Sequence, residues 1–296
     1  MANAKVESGS TVPRRQLGRE VRKLREEAGL TVGQAAEAIG RSAPTLWRIE
    51  KGGSPMRPGD VAGMCLIYGA SPEVTDALVA LAKETGSPGW WRSYTGAIPK
   101  WFDTFVGLEQ SASHLRLYSA EIVPGLLQTE RYADATFRAV RPSPSEEERA
   151  ELVAVRMRRQ RILTRKTPKP PRLEVVLGEA ALFRPPRDTS AMSAQLSRLR
   201  AATELDNVTI RVLPLTTGLE CAPDGRFHIL DFPLERNGRR REPTVVYTDT
   251  LTGALYLEKP AEVKAYMEVW KGISDNTLSH ADSLDIIKSA TERYEQ

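Results

Sequence analysis

The residues with the clearest chemistry in this 296-residue chain lie in one short segment, from Arg41 to Lys51. Arginine can donate two parallel hydrogen bonds to a guanine edge or to a phosphate, and lysine and serine can donate to phosphate oxygens. If Leu46 and Ile49 face inward on a helix of about 3.6 residues per turn, their neighbours along the other side face outward. The resulting candidates for contact with nucleic acid are Arg41, Ser42, Ala43, Pro44, Trp47, Arg48 and Lys51.

These candidates differ in the contact that each one could make. Arg48 is the best candidate for a base or phosphate contact, and Lys51 and Arg41 are expected to touch phosphates. Trp47 leaves two alternatives open: it contacts a thymine methyl group or a sugar, or it covers the edge of a helical bundle. Glu50 is expected to pair with a basic residue of its own domain, because a carboxylate that faces DNA is unfavourable.

A helix-turn-helix is the element that would position these residues. Two helices that cross closely need a small residue at the crossing and a tight turn between them, and Ala36 and Gly40 supply these features. Leu46 and Ile49, the two apolar residues that face inward, then hold the second helix against the first. Thr31 and Gln34 form the pattern of a capping box, which begins a helix. Apolar spacing and glycine stops predict five short helices in all, and the alternative is an ordinary small helical bundle.

This segment resembles the XRE-type (Cro/phage-repressor-like) helix-turn-helix family. The matching residues are Gly29-Leu30-Thr31, Ala36, Gly40 and Trp47 to Gly52, and the departures are Val32, Gly33 and Arg41. The resemblance implies a transcriptional regulator that binds double-stranded operator DNA. Because one helix-turn-helix contacts few base pairs, we expect a homodimer on the operator. The dimer interface would come from the second domain or from the fourth and fifth helices, with Met64, Leu78 and Leu81.

A break in composition divides the chain. Residues 86–89 form a strong helix breaker, and aromatic residues become frequent after it. We therefore predict a disordered arm at residues 1–12, an all-α five-helix DNA-binding domain at 13–88, and an α+β domain at 89–296. The mixture of predicted strands and helices in the last region favours a largely antiparallel sheet.

Apolar patterning predicts the elements of residues 89–296. A helix is expected over 103–118, followed by a strand at 119–123. Ser145 and Glu148 form a second capping box, which begins a long basic helix. Later strands are predicted at 173–177, 208–213, 226–231, 244–247 and 254–257.

Residues 89–296 resemble an actinobacterial domain that follows an XRE-type helix-turn-helix in regulators described as antitoxin-like. The residues that carry the resemblance include Trp90-Trp91, Trp101-Phe102, Glu109, Val123 to Thr129, Tyr132-Ala133, Arg156-Met157 and Val212 to Pro214. The resemblance implies a small protein partner encoded nearby, and the alternative is a small-molecule effector. The candidate ligand or partner residues are Trp90, Trp91, Trp101, Phe102 and Gln128. The aromatic ones could equally form the packing seam between the domains.

Charge is unevenly distributed along the chain, although the net charge is only +4. Residues 14–57 carry ten Lys or Arg against five Glu, and residues 149–172 carry nine Lys or Arg against one Glu. Either basic segment could face a polyanion or be solvated. We expect the first segment to contact DNA. The second has an apolar flank, so we expect it to be solvated or to contact a partner.

Several other functions lack support in the sequence. No apolar run could span a membrane, no signal-peptide core is present, and only two cysteines occur, which favours a reducing cytoplasm. The three histidines, His114, His228 and His280, are far apart, and no phosphate-binding or nucleophile motif occurs. Cys221 and His228 could form a nucleophile and base, but a free loop thiol is favoured. We therefore predict a cytoplasmic protein that is not an enzyme and has no cofactor or metal.

Overall fold

The computed structural model describes residues 12–54, 56–85, 100–140, 145–218, 225–234, 242–251 and 253–295. The chain divides into two compact units, and the main division falls after Leu108. We name them the N-terminal unit and the C-terminal unit. The predicted boundary near Pro88 and the arm up to residue 11 lie outside the described residues. The first helix begins at Val12.

Five helices lie within residues 12–85 and enclose one apolar core, and the N-terminal unit also takes in most of a sixth helix, so its helix count exceeds the predicted five. They are α1 (Val12–Glu27), α2 (Val32–Ala38), α3 (Ala43–Glu50), α4 (Pro58–Ile67) and α5 (Pro72–Thr85). Leu17 and Val21 of α1 lie in this core with Leu46 of α3. The predicted capping box opens α2, because the Thr31 hydroxyl accepts from the Gln34 backbone N–H and the Gln34 side chain accepts from the Thr31 N–H.

The residues predicted for a dimer surface on α4 and α5 belong to this core instead. Met64, Leu78 and Leu81 are all buried, so they face other helices of the same unit. The apolar side chains that α4 and α5 expose are Leu66, Ile67 and Val74. In α4 the apolar residues that face solvent are therefore Leu66 and Ile67, near its C-terminal end, and not the predicted Met64.

Helices and strands alternate along the rest of the chain. The helices are α6 (Lys100–Ser111), α7 (Glu130–Val140), α8 (Glu146–Arg159), α9 (Ala180–Phe183), α10 (Ser190–Thr203), α11 (Pro260–Asp275) and α12 (His280–Glu295). The strands are β1 (His114–Ser119), β2 (Arg172–Gly178), β3 (Val208–Leu213), β4 (Phe227–Asp231), β5 (Val245–Asp249) and β6 (Ala254–Leu257). Short 3₁₀ turns lie at Gly125–Leu127 and Gln160–Leu163. The predicted capping box at Ser145 opens α8.

The six strands form one mixed sheet in the order β3-β2-β1-β4-β5-β6. β1 pairs in parallel with β2, and β2 with β3, whereas the β1–β4, β4–β5 and β5–β6 pairs are antiparallel. The prediction of a largely antiparallel sheet is therefore wrong. Helical segments connect β1 to β2 and β2 to β3, and such crossovers return the chain to the same end of the sheet.

Strand β1 occupies the place where a helix was expected. The predicted helix over 103–118 ends early, because α6 stops at Ser111 and β1 begins at His114. Leu115 and Leu117 are buried on one side of the strand. Their spacing of two residues is the period of a strand and not of a helix. The strand expected at 119–123 is likewise wrong, since β1 ends at Ser119.

Helices shield both a face and an edge of this sheet. Trp270 and Ile273 of α11 pack on the face that carries Tyr118 and Phe227. At the β3 edge, the Val212 N–H donates to the Ser283 hydroxyl at 3.0 Å, and the Val212 carbonyl accepts from the Leu278 N–H at 2.8 Å. These bonds satisfy edge groups that would otherwise be open to pairing with another strand.

Candidate DNA-binding surface

Helix α3 presents the sequence-predicted contact residues on its exposed side. Its buried residues are Leu46, Ile49 and Glu50. Trp47 is 56% exposed, which argues against the alternative that it covers the edge of the bundle. The full set of exposed candidates is Arg41, Ser42, Ala43, Pro44, Trp47, Arg48 and Lys51. The structure thus brings all seven residues to one short surface segment.

The turn before α3 is closed by a glycine. Gly40 has a φ of +64°, and the Arg41 N–H donates to the Ala36 carbonyl at 2.8 Å. This is the usual glycine end of a helix, in which a side chain at the left-handed position would be strained. Ala36 is also buried at the crossing of α2 and α3. The small residue and the turn that the sequence predicts are therefore both in place.

Close backbone contact holds α3 against α1. A Cβ atom added to Gly18 of α1 would lie 2.6 Å from the carbonyl oxygen of Ile49 and 2.7 Å from that of Glu50. No side chain fits in such a space, so a larger residue at position 18 would force α1 and α3 apart. The orientation of the exposed face of α3 therefore depends on this glycine.

A buried ion pair between Arg25 and Glu50 holds the C-terminal end of α3 against α1. The Arg25 Nε donates to one Glu50 carboxylate oxygen at 2.6 Å, and its NH2 group donates to the other at 3.0 Å. Arg25 also donates to the Leu30 carbonyl at 2.7 Å, just before α2. The hydrogen bond from Glu50 raises the pKa of Arg25 despite its burial. The sequence prediction that Glu50 pairs within its own domain is confirmed.

The start of α3 carries two polar side chains with weak local partners. Ser42 stands at the N-cap position, but its hydroxyl lies 2.8 Å from the Thr45 hydroxyl and caps no backbone N–H. The Arg41 guanidinium lies 3.5 Å from the Asp60 carboxylate, and both side chains are about half exposed. An ion pair at this exposure contributes little. Arg41 can therefore exchange Asp60 for a phosphate at little cost.

Only some of the predicted ligand or partner residues fall within the part of the chain that the structure describes. Trp90 and Trp91 lie outside them, and Trp101 is described only by its place in α6. Phe102 is half-buried, and its ring centroid lies 5.5 Å from that of Phe105. An aromatic pocket built from the four predicted residues thus stays a prediction.

Gln128, the last predicted ligand or partner residue, is held inside the C-terminal unit. Its side-chain amide donates to the Val123 carbonyl at 2.7 Å, and its oxygen accepts from Arg156 at 2.6 Å. The Gln160 side chain donates to the Gly125 and Gln128 carbonyls at 3.0 and 2.6 Å. Because Gln128 is buried and both ends of its amide are engaged, its evident role is to hold the corner between β1 and α7.

Arginines of the basic segment 149–172 also serve the fold, which the sequence did not reveal. Except for Glu174, which is two residues from Arg172, their partners lie 15 or more residues away in sequence, so neither spacing nor charge counting could identify them. The pairs are Arg149 with Asp134, Arg156 with Gln128, Arg159 with Glu109, Arg165 with the Gln110 carbonyl, and Arg172 with Glu174. Five of the nine basic residues in this segment are thereby engaged within the C-terminal unit.

The Arg159–Glu109 pair is the most deeply buried of these. Its two parallel hydrogen bonds measure 2.8 and 2.7 Å. Burial acts to lower the pKa of Arg159, but the charge and hydrogen bonds of Glu109 outweigh it and raise that pKa. Burial lowers the pKa of His228 to about 3, so its imidazole is neutral at pH 7. Cys221, its conceivable nucleophilic partner, lies outside the described residues.

Within the described ranges, no group of three His, Cys, Asp or Glu side chains is arranged to hold a metal ion. No helix in this part of the chain combines the length and the apolar character that crossing a membrane requires.

Comparison with known proteins gives two family matches. Residues 16–78 match a helix-turn-helix domain, and residues 102–289 match a family described as a domain of unknown function (DUF5753). No curated protein and no solved structure matches the chain. The helix-turn-helix match, on the unit that carries α3, supports a DNA-binding regulator. The description of the second family assigns no role to the C-terminal unit.

Proposed function

Because the chain belongs to the DUF5753 family and carries a helix-turn-helix domain ahead of it, we propose that it is a sequence-specific transcriptional regulator of the XRE type. The observation that carries this proposal is the exposed face of α3. Pro44, Trp47, Arg48 and Lys51 stand outward, while Leu46 and Ile49 anchor the helix in the core. This is the arrangement in which a recognition helix enters a major groove.

Selection of binding sites from a pool of random duplexes tests the proposal. The full chain should enrich one sequence, and footprinting should protect two half-sites about 10 base pairs apart from centre to centre. Affinity for that site should fall steeply with salt, since bound phosphates release counterions. A pool that stays random after repeated selection at moderate salt would count against a sequence-specific role.

The regulator acts on its operator as a homodimer in this proposal. The exposed apolar side chains of α4 and α5 support a self-association surface there. Leu66 is 83% exposed, and Ile67 and Val74 are exposed nearby in sequence. Large apolar groups in water favour burial against a partner. A second copy is the partner expected here, because a two-fold pair of recognition helices contacts both half-sites.

The C-terminal unit binds a small protein partner encoded nearby, in an antitoxin-like arrangement. The support for this role is the resemblance of residues 89–296 together with exposed apolar side chains at the β5–β6 hairpin, Leu251 and Leu255. Expression of the chain with the product of an adjacent short reading frame tests it. The partner should co-purify with the wild-type chain and should be lost from a Leu251→Asp, Leu255→Asp variant.

A small-molecule effector is the second candidate for the C-terminal unit. An open groove of about 1180 Å³ lies between α7, α8 and residues 185–188. Its charged lining includes Arg131, Asp134, Arg138 and Asp188, which suits a polar ligand better than an apolar one. A stabilising metabolite in a thermal-shift screen would favour this candidate. In either case we propose that the chain regulates by binding and is not an enzyme.

A further inference from the structure

Trp47 is a large apolar side chain that the fold leaves in water. It is 56% exposed, although its neighbour Leu46 is completely buried. Its indole has no hydrogen bond or ring contact to any residue that the structure describes. Burial of such a ring against another apolar surface is favourable, and the fold of the N-terminal unit does not supply that surface.

The position of Trp47 on α3 limits what that surface can be. Residues three and four apart share a helix face, so Trp47 lies on one face with Pro44 and Lys51, and Arg48 lies at the other margin of that face. The face therefore combines two apolar residues, Pro44 and Trp47, with two cationic residues, Arg48 and Lys51. All four are exposed. A partner surface that suits this face must offer anionic groups and an apolar group within a few ångströms.

The major groove of DNA offers both features. Phosphates line the groove, and the guanine edge presents two acceptors to an arginine. Among the four bases, thymine presents an apolar group there, its 5-methyl group. Resting on the proposed function, we propose that Trp47 is a specificity-determining residue that packs against a thymine methyl group in each half-site. Arg48 donates hydrogen bonds from the same face, so Trp47 makes the apolar contact and Arg48 makes the polar ones.

The test removes only that methyl group. In the operator obtained by selection, each thymine is replaced singly by deoxyuridine, which keeps the sugar, the phosphate and the pairing edge unchanged. Burial of one methyl group corresponds to a change in affinity of about fourfold. The wild-type full chain should lose about fourfold in affinity at one thymine position per half-site. Trp47→Ala should bind more weakly overall and lose the discrimination at that position alone.

A neighbouring substitution serves as the matched control. Arg48→Ala, on the same face, should weaken operator binding but keep the preference for thymine over deoxyuridine. Circular dichroism checks that the Trp47→Ala chain is folded, and Trp47→Phe, which keeps an aromatic ring, should retain part of the discrimination. Wild-type binding that ignores every thymine replacement overturns the inference, as does a Trp47→Ala chain that still discriminates. The proposed function would survive both results, because it fails only if no sequence is selected.

Discussion

Arg159 and Glu109 are the residues whose pairing we expect to matter most for the stability of the C-terminal unit. Arg159→Met removes the cation and leaves the Glu109 carboxylate buried without its partner. Loss of one member of a buried pair costs about 3–5 kcal/mol. We therefore predict a large drop in the free energy of unfolding, measured by urea denaturation followed by circular dichroism.

The chain offers a matched control at Arg184. Its guanidinium also pairs with a carboxylate, Glu121, at 2.6 Å, but both side chains are more than half exposed. An exposed pair contributes about 1 kcal/mol or less, so Arg184→Met should leave the urea midpoint nearly unchanged. Equal losses in the two variants would contradict the account, because burial would then not decide the contribution of the ion pair.

At the scale of elements, we predict different effects on DNA binding for substitutions in α3 and for substitutions in the basic segment 149–172. Each phosphate contact that is lost should reduce the slope of log affinity against log salt by about one unit. Neutralising Arg48 and Lys51 with glutamine should therefore flatten that slope. Replacing Arg161 and Lys166, which are exposed in the second segment, should not change it. Operator titrations at several salt concentrations measure both slopes.

A reduced slope for the Arg161→Gln, Lys166→Gln chain would extend the DNA-binding surface to the C-terminal unit. Arg159 is left out of this variant, because its substitution is expected to destabilise the unit, and that loss would be confused with a loss of DNA contact. The pairing of Arg149 and Arg165 within the unit favours the outcome in which the slope is unchanged.

The same elements show what the sequence could and could not reveal. Local signals were sufficient for α2 and α3, because a capping box, a glycine turn and the apolar pair Leu46 and Ile49 act over a few residues. The sheet depends on which strands become neighbours, and that choice is made between distant residues. The alternation of Leu115 and Leu117 is typical of a strand, but it directly follows a helical pattern, and the sequence alone predicts that the helix continues through it. The partners of Gln128 and Arg159 are equally non-local.

At the scale of the whole molecule, we expect self-association through α4 and α5 to decide operator affinity. Leu66→Asp places a charge on the surface that would be buried between two copies, so it should weaken the dimer and lower the apparent operator affinity. Val269→Asp, at an exposed apolar position of α11, is the control and should change neither. Light scattering with and without operator DNA gives the stoichiometry. A Leu66→Asp chain that still binds as two copies with wild-type affinity would place the dimer surface elsewhere.

The central claim is that the exposed face of α3 recognises a DNA sequence, and one ratio tests it most directly. The affinity of the full chain for its selected site is divided by its affinity for a scrambled duplex of equal length, at one salt concentration. Specific regulators exceed non-specific binding by a factor of about 10³ or more. We predict such a ratio for the wild type. For Arg48→Ala we predict that binding to the selected site weakens by about 1–3 kcal/mol, and that binding to the scrambled duplex weakens much less. A wild-type ratio near one, or an Arg48→Ala ratio equal to that of the wild type, would contradict the account.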